Sequence, residues 1–345
     1  MRVGVTYERK TDYPFAAGDP PDADSELLSA AEEQELLDGL RDAGHDVFPI
    51  GDAQHLLDRI DHWRGCCDLV FNRSVGYRGS ERKSIVAAML EAAGIPYLGS
   101  SPYVLSLTRH KYHTKLAMRD AGILTPSATL LFGGTPERLE EIRYPAIVKP
   151  VAESSSIGIE AGASIVATAG AALKRAKILL ERYSQPVLVE SFVEGVEIEV
   201  PVIIDPQPRV LGLAVVAIDG QLPDKTHYLA SDSVYNDNYS YLEPPAYIDT
   251  ERVVEAAVRG TRALGIRDYG RLDFRITADG TPWFIEASTH PHIQRHSSFF
   301  MTAQRHGMAY HQLLDMLVQI AARRCGLLAL NTRGALAQSG AWTIA

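Results

Sequence analysis

The chain has 345 residues, of which 46% are hydrophobic and 22% are charged, and its formal net charge at pH 7 is −9. These values are typical of a globular protein with two or three domains. The acidic balance argues against a nucleic-acid-binding protein, and no stretch reaches the ~20 apolar residues of a membrane span. Three cysteines, Cys66, Cys67 and Cys325, have no metal-site spacing. We therefore expect a cytoplasmic protein that binds neither nucleic acid nor membranes.

Residues 1–105 are predicted to form an α/β domain. The apolar run 3–7 predicts a buried strand, and a helix is predicted over 25–43, ending at Gly44. Two further strands, "DVFPI" and "CDLVFN", precede the helical pattern "SIVAAMLEAAG", which ends at Gly94 before the short strand "PYLGS". Alternating strands and helices indicate a parallel sheet covered by helices.

The remainder of the chain predicts two α+β domains and a tail. Residues 106–193 combine helices, strands and a Ser/Gly-rich loop, and residues 194–330 begin with long strands. Residues 221–245 are polar and rich in tyrosine, which predicts a loop, and a final helix is predicted over 307–324. Residues 331–345 are predicted to be a weakly ordered tail.

The segment "RLDFRITADGTPWFIEAS", residues 271–288, predicts a β-hairpin. A two-residue turn at Asp279-Gly280 places Asp273 opposite Glu286. Because side chains alternate between faces, Arg271 and Ser288 share the face of these carboxylates. The opposite face is predicted to point into the core, with Leu272, Phe274, Ile276, Trp283, Ile285 and Ala287.

Two interpretations fit the paired carboxylates, whose Cβ atoms would lie roughly 5 Å apart. A cation held between Asp273 and Glu286 would convert their repulsion into a binding site, and oxygen ligands suit Mg²⁺. Alternatively, this is an exposed sheet face on which Arg271 and Arg275 relieve the charge. The hairpin alone does not decide between them.

Three upstream segments supply groups that a nucleotide requires. "AIVKPVAESSSIGI" places Lys149 at the end of an apolar strand, followed by the small-residue loop 153–158, and "TRHKYHTK" contributes Lys111. "VLVESFVEGVEIEV" carries Glu190, a short apolar link, and Glu197. Backbone N–H groups in such a loop can surround phosphates. Taken alone, each lysine fits a solvated position and the link fits a connection between domains.

In this order and spacing, the segments resemble the ATP-grasp superfamily, specifically D-alanine–D-alanine ligase and its relatives, over about residues 66–320. The resemblance implies a three-domain ATP-grasp fold of mixed α/β and α+β structure, with ATP held between the central and C-terminal domains. It also implies two Mg²⁺ ions, with Mn²⁺ as a substitute, small-molecule carboxylate and amine substrates, and a homodimer.

The resemblance implies a role for each matching residue. Those expected to bind ATP are Lys111, Lys149, Ser154, Ser156, Gly158, Glu190, Phe192, Val193, Glu197 and Lys225. Those expected to bind metal are Asp273, Glu286 and Ser288. Arg271, which would stabilise the oxyanion of a tetrahedral intermediate, and Ser155 of the loop are expected to be catalytic. Those expected to contact the substrates are Arg73, Tyr228, His290 and Ser297.

The sequence departs from the family pattern where substrates would bind. The family's His-Gly and Gly-Glu-Asp-Gly segment is replaced by "NRSVGYRGSERKS", the Asn among the metal ligands by Ser288, and a Pro-Gly by "HPHIQRHSS". Glu26 is the candidate for the family glutamate that holds the first substrate's ammonium. The arginines from Arg73 to Arg82 fit either a solvated loop or a pocket for a more anionic or neutral carboxylate.

The sequence therefore predicts an ATP-dependent ligase. It would activate a carboxylate, an amino acid or related acid, as an acyl phosphate and couple it to an amine. An authentic D-alanine–D-alanine ligase of cell-wall synthesis and a non-catalytic ATP-binding protein are the alternatives.

Overall fold

The computed structural model describes residues 1–133, 138–222, 226, 228–236 and 238–328. Within these ranges the chain forms three β-sheets, one after another along the sequence. No helix in the described part is both long and apolar enough to cross a membrane.

The first sheet is parallel, with the strand order β2-β1-β3-β4. Its strands are β1 (Arg2–Thr6), β2 (Asp46–Gly51), β3 (Leu69–Asn72) and β4 (Tyr97–Leu98). Its helices are α1 (Ala30–Asp42), α2 (Ala53–Asp58), α3 (Ile60–Cys66) and α4 (Arg82–Ala93). Helix α1 begins later than predicted because Ser29 and Glu32 form a capping box, in which each side chain bonds the other's backbone N–H.

The second sheet is antiparallel, with the order β5-β8-β6-β7. Its strands are β5 (Ala128–Leu131), β6 (Ala146–Pro150), β7 (Ile165–Val166) and β8 (Val187–Ser191). The helices here are α5 (Pro102–Arg109), α6 (Lys111–Asp120) and α7 (Ala169–Tyr183). Short 3₁₀ helices occur at Lys10–Asp12 and Leu139–Glu141.

The third sheet is antiparallel, with the order β12-β11-β9-β13-β14 and β10 paired to β9. Its strands are β9 (Val196–Ile204), β10 (Pro208–Val210), β11 (Ala214–Ile218), β12 (Tyr239–Leu242), β13 (Tyr269–Ile276) and β14 (Pro282–Ser288). The helices are α8 (Ser231–Tyr235), α9 (Thr250–Leu264), α10 (Ser298–Arg305) and α11 (Tyr310–Arg324). The predicted tail, 331–345, lies outside the described residues.

Residues 221–245 are not all loop, as the sequence predicted, because they contain α8 and β12. Strand β12 pairs with β11, and Tyr241 is buried against the sheet. Strand pairing with β11 thus overrides the local polar composition.

The first and third sheets share one hydrophobic core. Leu36 and Leu40 of α1, Ile203 of β9, Tyr269 of β13 and Leu317 of α11 are all buried in the same cluster. This packing places the carboxyl ends of the first sheet beside the residues that follow β14.

The hairpin keeps the predicted pairs at one end only. Arg271 pairs with Ser288 and Asp273 with Glu286, but Phe274 pairs with Phe284. The connection is the five-residue loop 277–281 rather than a two-residue turn, and Ile285 is a bulge that restores the predicted register. Consequently Phe284 enters the core, whereas Trp283 and Ile285, predicted to be core residues, are only partly buried.

This register predicts unequal costs for two truncations in β14. Phe284→Ala should lower the free energy of unfolding by about 3–5 kcal/mol, because the ring is fully buried against Phe274. Trp283→Ala should cost less than about 2 kcal/mol. Urea unfolding followed by circular dichroism measures both, and a larger loss for Trp283→Ala would contradict the bulge.

Candidate active site

An open cavity lies between the second and third sheets, with about 710 Å³ of space that includes adjoining solvent. Strands β6 and β8 form one wall, and strands β9, β13 and β14 contribute the other. The predicted site residues that line it are Lys111, Lys149, Ser154, Ser156, Glu190, Phe192, Val193, Glu197, Tyr228, Asp273 and Glu286. Apolar side chains, including Ile147, Ile159 and Ile285, complete the lining. A cavity with apolar walls and a few polar groups is typical of a small-molecule site.

Glu190 lies between two buried lysines. Its carboxylate is 3.3 Å from Nζ of Lys149 and 2.5 Å from Nζ of Lys115. Burial lowers the pKa of Lys115 to about 8, opposed by the charge of Glu190. Lys115 also donates to the carbonyl of Ile285 at 2.9 Å, which ties α6 to β14. Sequence analysis missed Lys115, although its four-residue spacing from Lys111 places both on one helix face.

The link after β8 is held by Arg275. Its guanidinium donates to the carbonyls of Val193 and Gly195 at 2.6 and 2.7 Å and lies 4.7 Å from the ring centre of Phe192. It also pairs with Glu197 at 3.2 Å. Burial raises the pKa of Glu197. Arg275 therefore fixes the backbone of the link, of which Phe192 and Val193 line the cavity.

Three carboxylates lie in a row across β9, β13 and β14. Asp273 is opposite Glu286 on one side and Glu199 on the other. Arg271 binds both oxygens of Asp273, at 2.8 and 2.7 Å, and lies 3.1 Å from Glu199. Lys111 lies 3.2 Å from Glu286. Glu199 was missed, although it alternates with Glu197 in "EIEV" and so shares its face.

The pKa values of the two hairpin carboxylates differ. Burial raises the pKa of Asp273 to about 8, with Glu199 and Glu286 adding to the rise and Arg271 opposing it. Burial also disfavours the charged form of Glu286, but Lys111 and Lys149 lower its pKa to about 2. Carboxylates crowded in this way favour a bound cation.

The donor set fits Mg²⁺ held jointly with a nucleotide. Among the described residues no three His, Cys, Asp or Glu side chains form a ready metal centre. Mg²⁺, however, is commonly held by one or two carboxylates together with substrate phosphates. Asp273 and Glu286 supply the carboxylates, and Ser288 lies on the same strand face.

The loop 153–158 covers the cavity in a specific conformation. Ser155 and Ser156 have φ of 51° and 55°, a left-handed backbone that non-glycine residues rarely adopt. The Glu153 carbonyl accepts from Lys111, and Ser154 Oγ accepts from Lys83 at 2.8 Å. Consecutive residues in this conformation are characteristic of functional sites.

A second open cavity, with about 800 Å³ of space that includes adjoining solvent, adjoins the first and reaches residues that follow β3 of the first sheet. The two cavities share Ser154, Ser156, Glu197, Leu229, Asp273 and Glu286. The other predicted residues that line the second cavity are Glu26, Arg73, Ser155, Arg271, Ser288 and His290. Two ligands, one in each cavity, would therefore lie next to each other at Asp273 and Glu286.

Comparison with known proteins supports the same reading of the fold. The family model "D-ala D-ala ligase C-terminus" matches residues 134–319. An uncharacterised protein, y4sG, of Sinorhizobium fredii is 29% identical over 306 residues, covering 84% of this chain and 87% of its own length. A D-alanine–D-alanine ligase of an Azoarcus species is 31% identical over 312 residues, covering 90% of this chain and 96% of the relative.

The chain belongs to the D-alanine–D-alanine ligase family. A crystal structure of the Bacillus anthracis D-alanine–D-alanine ligase with ATP superimposes with a TM-score of 0.73 at 22% identity, covering 95% of this chain and 99% of that chain. The predicted ATP-grasp fold is confirmed, and the family is one of ADP-forming ligases.

Three residues that the family resemblance singled out do not line either cavity or cannot be placed. The Gly158 N–H donates to Asp22 at 3.0 Å, and the chain there packs under Pro150. Ser297 is buried as the N-cap of α10, where it accepts from the Phe300 N–H. Lys225 lies outside the described residues. Tyr228, predicted to contact the substrates, lines the first cavity beside Phe192.

The position of Lys115 in this ligase-family site predicts that it stabilises the domain arrangement. Lys115→Met should lower the free energy of unfolding by about 3–5 kcal/mol, because it removes a buried ion-pair partner of Glu190 and the bond to β14. Lys149→Met, which removes a longer contact with the same carboxylate, is the matched control. Urea unfolding of both variants measures the difference, and equal stabilities would contradict the role of Lys115.

Proposed function

We propose that this protein is an ATP-dependent ligase that activates a carboxylate as an acyl phosphate and couples it to an amine. The products would be an amide or peptide, ADP and phosphate. The observation that carries the proposal is the pair of adjoining cavities, which share Asp273 and Glu286. One cavity has the apolar walls and lysines that a nucleotide needs, and the other offers space for an acid beside the same carboxylates.

The first cavity would bind ATP with its base towards the link after β8. The peptide groups of Phe192 and Val193 would face the adenine, and Glu190 would accept from its amino group. Glu197 would accept from the ribose hydroxyls. Lys111 and Lys149, both buried, would neutralise phosphate oxygens.

The reaction would proceed in two displacements. A carboxylate oxygen of the acid attacks the γ-phosphorus, the bond from that phosphorus to the β–γ bridging oxygen breaks, and ADP leaves. The amine nitrogen then attacks the acyl carbon, loses a proton, and phosphate leaves. Arg271 would stabilise the oxyanion of the tetrahedral intermediate. Loop 153–158, with Ser155 at its tip, would keep water from the acyl phosphate.

Asp273 and Glu286 would hold Mg²⁺, with Ser288 as a weaker oxygen ligand. When bound, the metal would neutralise charge that develops on the phosphates. The number of ions, the acceptance of Mn²⁺, the homodimer and the cytoplasmic location stay predictions.

The residues around Glu26, at the end of the second cavity near the first sheet, argue against D-alanine as the acid. In this respect the chain differs from the relatives named for that substrate. Glu26, the candidate for binding an ammonium, already pairs with Lys83 at 2.8 Å, Arg82 at 2.7 Å and Arg109 at 3.4 Å. A carboxylate that is surrounded by three cations has little attraction left for a fourth. The side chains that surround Glu26 are mostly positively charged, which favours an acid other than D-alanine.

The central prediction is that ADP release depends on an acid and an amine together. A panel of acid and amine pairs, with ADP release coupled to product mass, should yield at least one amide, and D-alanine alone should not stimulate release. Asp273→Asn should lower kcat by about 100-fold or more, because charge stabilisation at the phosphates is lost. Asp279→Asn, in the exposed loop of the same hairpin, is the matched control.

ATP binding without turnover for any pair would favour a non-catalytic protein. Strong stimulation by D-alanine would instead favour an authentic D-alanine–D-alanine ligase. The first result contradicts the proposed function, whereas the second contradicts only the argument against D-alanine as the acid.

The metal assignment predicts opposite effects of two changes at one position. Ser288→Asn should lower the Mg²⁺ concentration that gives half the maximal rate, because an amide carbonyl is a better oxygen ligand than a hydroxyl. Ser288→Ala should raise that concentration. Rates measured over a Mg²⁺ series at saturating ATP make the comparison, and identical curves for all three proteins would remove Ser288 from the metal site.

A further inference from the structure

Arg73 lies at the point of the first sheet where ligands are expected. It directly follows β3, and in the order β2-β1-β3-β4 the strand order reverses at β1, because β2 lies on one side of β1 and β3 on the other. Open α/β sheets bind ligands outside the carboxyl ends of their strands at such a switch point. The second cavity reaches this position and is lined there by Arg73, Lys83 and His290.

The Arg73 side chain is 4% exposed and forms no ion pair with a carboxylate among the described residues. Its Nη1 donates to the carbonyl of Pro291 at 2.9 Å, and its Nε has no hydrogen-bond partner among the described residues. A buried guanidinium without a carboxylate is costly unless a ligand completes its hydrogen bonds.

His290 is a second buried group without protein partners. It is 5% exposed, and neither ring nitrogen has a hydrogen-bond partner in the described structure. An imidazole carries an N–H group in either tautomer, so this ring can donate a hydrogen bond to a ligand.

The surrounding charges do not neutralise this end of the cavity. Arg82, Lys83 and Arg109 share the carboxylates Glu26 and Glu153, which leaves positive charge in excess before Arg73 is counted. A confined positive field of this kind selects anionic ligands.

We propose that the acid substrate of this ligase is a dicarboxylic acid, whose non-reacting carboxylate binds Arg73 together with Lys83 and His290. The reacting carboxylate lies at the other end of the same cavity, beside Arg271, Asp273 and Glu286. Only an acid with charged groups at both ends fills both positions. The inference rests on the proposed ligase function.

Hydroxylamine trapping tests the acid without knowledge of the amine. The hydroxylamine nitrogen attacks the acyl carbon, phosphate leaves, and the hydroxamate is identified by mass. With ATP and Mg²⁺, the full-length protein should form hydroxamates from succinate, glutarate, aspartate or glutamate. Propionate, butyrate, valerate and D-alanine, which carry one carboxylate, should give at least about 10-fold less at equal concentration.

Variants of Arg73 test the residue itself. Arg73→Gln should raise KM for the preferred diacid by about 10- to 100-fold and leave KM for ATP within about twofold, because one charge-assisted contact is lost at the acid alone. Arg73→Lys should restore part of the loss. Arg41→Gln, an exposed arginine of α1 paired with Asp38, is the charge-matched control. Circular dichroism and binding of a non-hydrolysable ATP analogue verify that each variant is folded.

The possible failures are distinguishable. Hydroxamates formed from monocarboxylic acids as readily as from diacids would leave the ligase function standing and overturn the diacid inference. An equal diacid KM for folded Arg73→Gln and wild type would overturn it as well. No hydroxamate from any acid, despite binding of the ATP analogue, would contradict the ligase function and the diacid inference together.

Discussion

The site depends on the ion pair between Arg271 and Asp273. Three strands of one antiparallel sheet bring Glu199, Asp273 and Glu286 side by side in a buried row. Such a row is unfavourable unless cations lie within a few ångströms of each carboxylate. Arg271 serves two of the carboxylates, and Lys111, from the preceding domain, serves the third. The neighbouring domains must therefore meet at this row.

A buried carboxylate of the second sheet also requires nearby cations. Glu190 is paired with Lys149 from β6 and with Lys115 from α6, and Lys115 in turn reaches the backbone of β14. Buried pairs of this kind contribute little net stability compared with apolar packing. Instead, these pairs hold fixed charges away from water at the place where phosphate charge would develop. The domain junction and the candidate nucleotide site are thus one network of charges.

How much of this could be predicted from the sequence is clearest in the hairpin. Asp273 does lie opposite Glu286, but only because the longer loop 277–281 and the bulge at Ile285 compensate each other. Local patterns located the carboxylate pair, Lys111, Lys149 and the loop 153–158, since each lies in one short segment. They missed Glu199 and Lys115, whose partners are contributed by strands and helices far away in the chain.

The substrate end was predicted only in part, because the resemblance named Arg73 and His290 but did not show that they line one cavity with Lys83. Arg73, Lys83 and His290 come from two different domains and meet only because α1 and α11 pack the first sheet against the third. The family motifs identify residues of the first cavity, the candidate nucleotide site, because each group there comes from one short segment. The segment "NRSVGYRGSERKS" and the residues that follow Ser288 depart from those motifs. The positive charge at this end of the second cavity therefore depends on contacts between domains, so it can be identified only in the folded structure.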